Sequence, residues 1–170
     1  YDLLNHYHIC MSVLVKKELV VKAGMFDNEL IYGAEDIDLW IRLAKITKIK
    51  FIEEPLVKYR VHHSNVSGNY EKMYLGHIQM VKKILRDDEI RVSRRFKLGK
   101  LSRLYYLLGK EQYIKEKYKD AFHSIICALR YDIFPFRSFI KKEDNLIVKI
   151  KKVLNPYAAL LVYAVKAVIK

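Results

Sequence analysis

A chain of 170 residues that is 52% apolar and 30% charged can bury a real core and is too apolar for a disordered tail. Six Gly and three Pro point away from a loop-dominated fold. Two cysteines far apart, Cys10 and Cys127, exclude a disulfide framework and a CxxC zinc site, as expected of free or buried thiols in a reducing compartment. The net charge of +13 is carried unevenly. Residues 1–70 hold 9 basic against 9 acidic side chains, and residues 71–170 hold 23 against 10. Such a step marks a change of role along the chain, and a basic, Tyr-rich half suits anionic lipid, nucleic acid or an acidic partner.

The chain begins at Tyr1 with neither an initiator Met nor a charged-then-apolar leader, so no signal peptide is visible and it reads as cut from something longer. Residues 7–15 are β-rich and predict a buried strand. Lys16 to Ala23 predicts a short amphipathic helix ended by Gly24. Met25-Phe26-Asp27 turns the chain towards Gly33. A second helix is predicted from Glu35, with acidic residues in its first turn and apolar ones at Ile37, Trp40, Ile41 and Leu43-Ala44. Ile49 to Ile52 and Leu56 to Val61 predict two strands separated by Pro55, and Ser64 to Asn69 is loop-like.

Strand signals then stop. Residues 70–86 predict a helix, and residues 91–108 and 111–131 two more around Gly109. Tyr105, Leu108, Gly109, Ala121, Ile125 and Ala128 follow the small-and-large spacing of a tetratricopeptide hairpin. One such repeat is visible, which fits a hairpin packed on a neighbouring domain better than a free-standing array. Leu146 to Leu154 alternates apolar residues with lysines, and Tyr157 to Ile169 is almost wholly apolar apart from Lys166. That last run, at about 13 residues, is short of the roughly 20 needed to span a bilayer. It is read either as an interfacial helix on anionic lipid or as a C-terminal core helix.

The segment with the most chemistry is Gly33-Ala34-Glu35-Asp36-Ile37-Asp38-Leu39-Trp40-Ile41-Arg42-Leu43. Two adjacent carboxylates at a helix mouth, with a third two residues on, can be kept ionised near one another by the helix dipole. One of them can accept a proton from a substrate hydroxyl. An acidic cap with solvated neighbours would contain the same residues.

With Ser12 to Glu18, Ala23 to Leu30 and Phe51 to His62, this segment resembles the acceptor-side end of family 2 glycosyltransferases over residues 5–69. Met25 stands where a second glycine is commoner, and Tyr59-Arg60-Val61-His62 resembles the Tyr-Arg-x-His ending. The resemblance implies an α/β fragment, the end of a GT-A nucleotide-diphospho-sugar transferase domain, followed by an all-α helical extension. The expected divisions are residues 1–69 for the catalytic part, 70–145 for the helical extension and 146–170 for a basic and apolar C-terminal helix.

The implied reaction is an inverting transfer of a sugar, of hexosyl type, from a nucleotide-sugar donor to a glycan or lipid-linked acceptor. The donor-binding half would lie outside this chain, so the chain alone is expected to be inactive. By analogy Asp36 is the expected base, with Glu35 orienting the acceptor or sharing the role. Asp38, Trp40 and Arg60 are the expected acceptor- or substrate-binding residues, although Trp40 also suits a core position and Arg60 a polar strand end. His62 is the candidate contact to a divalent metal. That metal, Mg or Mn, would be held mostly by the half not present, and Asp36-Ile37-Asp38 is not read as its Asp-x-Asp motif. A cytoplasmic enzyme of cell-envelope polysaccharide synthesis is implied, cytosolic or peripheral at the inner face of the membrane. The alternative is a helical protein–protein interaction module without catalysis; a nucleic-acid-binding role lacks any recognised motif.

Overall fold

The computed structural model describes residues 12–50, 52–58, 60, 68–132, 158, 161–166 and 168. Five helices follow in chain order: α1 Lys17–Lys22, α2 Glu35–Ile46, α3 Tyr70–Arg86, α4 Arg94–Ile114 and α5 Tyr118–Tyr131. Residues 161–166 are helical as well.

The described residues contain no strand, which overturns the expectation of an α/β GT-A fragment. Residues 12–15 and 52–58 carry the β-rich composition that suggested strands, but they adopt no regular structure there. A strand is stabilised by a ladder partner and by burial of one face, and its propensity is largely a measure of that packing. Here Val13, Leu14, Ile52, Leu56 and Val57 are exposed. With no ladder partner among the described residues and no covered face, the β-branched sequence has nothing there to fold against. The rest of the predicted first strand, residues 7–11, and residues 51, 59 and 61 of the other two lie outside the described residues. The helical part of the expectation agrees with α3, α4 and α5.

Local signals account for the helix ends. Gly24, at φ +85°, closes α1: its N–H donates to Val21 O and the Met25 N–H to Val20 O, both at 2.9 Å. This pair of bonds satisfies carbonyls the helix leaves open. Asn69 and Ser93 cap α3 and α4 by accepting from the N–H groups of Lys72 and Phe96. The C-terminus of α3 is closed by a buried cation, Lys97, whose Nζ donates to Ile84 O at 3.0 Å and Asp87 O at 3.2 Å.

Helix α4 is the centre of the molecule, buried on nearly every side between α3 and α5. The expected break at Gly109 is absent. The helix runs through it to Ile114, and the turn falls at Lys115-Glu116-Lys117, with Glu116 at φ +60°. Gly109 serves close packing instead. A Cβ there would stand 3.1 Å from Ala121 O and from a side-chain carbon of Ile125, so its absence lets α5 approach.

One core joins Leu30 and Ile41 to Ile78, Met80, Val81 and Ile84 of α3 and to Phe96, Leu101, Leu104 and Leu108 of α4. It draws side chains from both sides of residue 70. A second cluster joins Tyr106, Ala121, Ile125 and Ala128 to Tyr163. Among the described residues no helix is long and apolar enough to cross a membrane.

Candidate functional site around the mouth of helix α2

The turn before α2 is built from unusual backbone. Gly33 has φ +98° and Ala34, the residue preceding the helix, φ +70°. Met25 also has a positive φ, 58°, a conformation that glycine adopts at lower cost. The Gly33 turn rests on α3 at Gly76, where a Cβ would lie 2.7 Å from Gly33 O and 2.8 Å from Tyr32 O. A glycine inside a helical run is the sequence signal for such a close approach, and here it positions the helix mouth.

Glu35 and Asp36 occupy the first turn of α2. Glu35 is exposed and Asp36 half-buried. Asp36 Oδ1 accepts from the Ile37 N–H at 2.7 Å. Burial holds the Asp36 carboxyl above its ordinary range; the Ile37 N–H opposes this and the neighbouring Glu35 carboxylate adds to it. A carboxylate of raised basicity beside an exposed acid is a chemically competent proton acceptor.

Asp38 lies one step on and faces inward, 3% exposed. Its Oδ2 accepts from Arg42 Nε at 2.8 Å, with Arg42 Nη2 at 2.7 Å, and its Oδ1 pairs with Lys83 Nζ at 2.9 Å. Arg42 reaches further, donating through Nη1 to Ala23 O and through Nη2 to Met25 O at 2.7 Å. Lys83 also pairs with Asp27 Oδ2 at 2.6 Å. The Lys83 ammonium, helped by the Glu29 N–H, holds the Asp27 carboxyl below its ordinary range. Asp27, Asp38, Arg42 and Lys83 therefore clamp the end of α1, the 25–30 turn, α2 and α3 together. Both oxygens of Asp38 are engaged within the fold.

Trp40 is half-buried, and its indole Nε1 is buried with no hydrogen-bond partner among the described residues. Arg60 is exposed. His62 lies outside the described residues. The structure thus brings Glu35, Asp36 and Asp38 together on one helix, with Asp38 turned into the clamp. Lys83 and Gly76 are the contributors that sequence reasoning missed. Both sit on a helix more than thirty residues beyond the acidic segment, and no local spacing ties them to it.

Among the described residues no three His, Cys, Asp or Glu side chains converge as a metal cage. Asp38, whose oxygens are committed to Arg42 and Lys83, does not fit that role.

No family model and no solved structure matches this chain. It is similar to a protein of Rickettsia prowazekii (strain Madrid E) named uncharacterized glycosyltransferase RP339, at 30% identity over 118 residues, 64% of this chain and 34% of that protein. It is also similar to uncharacterized glycosyltransferase RT0329 of Rickettsia typhi (strain ATCC VR-144 / Wilmington), at 29% identity over 93 residues, 51% of this chain and 28% of that protein. The chain spans about a third of the length of the curated relatives it matches. These likenesses support a distant relationship to proteins that bear the name glycosyltransferase.

Proposed function

We propose that this chain is the acceptor-side part of a glycosyltransferase. The observation that carries the reading is the likeness to two relatives that both bear that name. The geometry at the mouth of α2 supports it, because Asp36 stands there with a carboxyl above its ordinary range on a segment fixed by the Asp38 clamp.

In this reading an acceptor hydroxyl oxygen attacks the anomeric carbon of a nucleotide sugar. The new carbon–oxygen bond forms as the bond to phosphate breaks, with inversion at that carbon. Asp36 takes the hydroxyl proton and nucleoside diphosphate departs. Glu35, exposed beside it, orients the acceptor. Asp38 acts as a positioning residue, holding the helix mouth in place through Arg42 and Lys83. Trp40 and Arg60 are assigned to the acceptor side, and His62 to the divalent metal, by the resemblance alone. Glycan or lipid-linked acceptors and Mg or Mn remain part of the proposal. The metal is assigned to residues other than those described, and no step here runs through it.

Large apolar side chains are exposed at Leu14, Val21, Met25, Phe26 and Ile31. Exposed apolar side chains at these positions are available to a further stretch of protein, which supports placing the donor-binding residues outside this chain. The test is nucleoside diphosphate release from a panel of nucleotide sugars, with and without acceptor, by the longer protein that carries this segment. Acceptor-dependent release by that protein, and none by the 170-residue chain alone, is the expected result. Release by the isolated chain would sink the division of labour, and no release by the longer protein would sink the reading itself.

A further inference from the structure

The helical residues 161–166 are held to the body of the fold by Tyr163, which is 7% exposed. Its ring stacks on Tyr113 with centroids 4.4 Å apart, and Tyr113 meets Tyr118 edge-on at 5.3 Å. This three-tyrosine cluster sits where α4 turns into α5. With about 100° per residue, Leu161, Val165 and Val168 fall on one stripe and Val162 beside it, together spanning roughly 120° on the side away from Tyr163. All four are exposed. Aliphatic side chains on a helix pinned by its opposite face form a built surface, not a frayed end.

The charge around that surface says what covers it. Lys166 lies one turn from Tyr163 on the flank of the apolar stripe and is exposed. Lys110, one turn before Tyr113, and Lys119, next to Tyr118, are exposed at the same end of the α4–α5 hairpin. The whole net positive charge of the chain resides in residues 71–170. An acidic protein would need an apolar groove shaped to the stripe in addition to carboxylates for the lysines, and a second copy of this basic chain would set like charges together. An anionic bilayer takes both without a shaped partner: aliphatic side chains enter the headgroup boundary and lysines meet the lipid charge.

We propose that the stripe formed by Leu161, Val162, Val165 and Val168, flanked by Lys166, is a docking surface for an anionic lipid membrane. On this proposal the stripe lies along the headgroup boundary. Attachment through four aliphatic side chains and nearby lysines is weak, reversible and sensitive to salt. This surface is distinct from the mouth of α2 and does not depend on the transferase reading.

Vesicle flotation of the full chain tests it, using phosphatidylcholine alone and equal parts phosphatidylcholine and phosphatidylglycerol. The chain is expected to float with the anionic vesicles, to stay behind with the zwitterionic ones and to be released by high salt. The double substitution Val162→Asp with Val165→Asp should lower the bound fraction by about tenfold or more. Lys166→Glu should lower it by about fivefold or more. All three positions are exposed, so the thermal melt of each variant should match that of the wild type, which separates lost docking from lost folding. The proposal is overturned by equal flotation with both vesicle types, by wild-type binding of the Asp double variant, or by no flotation at all. A concentration-dependent dimer abolished by the same double variant, without vesicle binding, would assign the stripe to a second copy and overturn it equally.

Discussion

Lys83 Nζ lies 2.9 Å from the Asp38 carboxylate, joining the basic helix α3 to the acidic segment that opens α2. The Asp38 side chain is 4% exposed, whereas those of Arg42 and Lys83 are 19% and 41% exposed. The two cations should therefore differ in worth. Removing Arg42 leaves the buried Asp38 carboxylate with the partly hydrated Lys83 as its remaining cation and takes the donor from the Ala23 and Met25 carbonyls, a loss of up to about 3–5 kcal/mol. A partner that keeps much of its hydration is worth about 1 kcal/mol or less. Arg42→Met is expected to destabilise severely and Lys83→Met mildly, as read by urea denaturation of the chain. Equal losses, or the reverse order, would show that the clamp does not run through Arg42.

Gly76 is expected to resist even alanine. In an exposed helix interior Gly→Ala gains about 1 kcal/mol. At Gly76 the added carbon would meet two backbone carbonyl oxygens at 2.7 and 2.8 Å, and backbone does not move aside as a flexible side chain does. A net loss of about 1–3 kcal/mol follows. Gly68, with nothing within 4 Å of its added carbon, is the matched control and should be nearly neutral as Gly68→Ala. Thermal melts of the two variants decide between them.

These two contacts show what a sequence carries and what it hides. The span of α3 was legible because apolar residues recur on one face after the polar stretch that ends at Asn69, both local signals. Gly24 was legible as a helix terminus for the same reason. Gly109 was not, since a glycine that ends a helix and one that admits a neighbouring helix look alike until the partner, Ala121, is in place. The strands failed because β-rich composition reports willingness to pair, and residues 12–15 and 52–58 have no ladder partner among the described residues. At the site, the three carboxylates of the Glu35–Asp38 segment were visible at once. Which of them turns inward was not, because Lys83 stands 45 positions from Asp38 and contributes through the packing of α3.

His77 sets an acid limit on stability. Burial, reinforced by the nearby Lys100 ammonium, lowers its pKa from 6.5 to about 4. The folded protein keeps the ring neutral while the unfolded chain protonates it, so the unfolded state binds more protons between those values. Stability is then lost as the pH falls from about 6.5 towards 4, by up to about 3 kcal/mol. The carboxylates with lowered pKa, Asp27, Glu71 and Asp87, act below their ordinary values of 3.8 to 4.5, at the acid end of that window. His77→Phe should flatten the loss between pH 6.5 and 4.5, as followed by urea midpoints across that range. An unchanged slope would mean that His77 is not the group responsible.

Glycosyl transfer stands or falls most directly on Asp36. The decisive measurement is steady-state sugar transfer by Asp36→Asn in the longer protein carrying this segment, with donor affinity measured alongside. Removing a general base costs about 10²–10⁴-fold in rate. The expected result is a loss of kcat in that range with donor binding unchanged. Turnover close to the wild type would contradict the assignment and take the acidic mouth of α2 out of the chemistry.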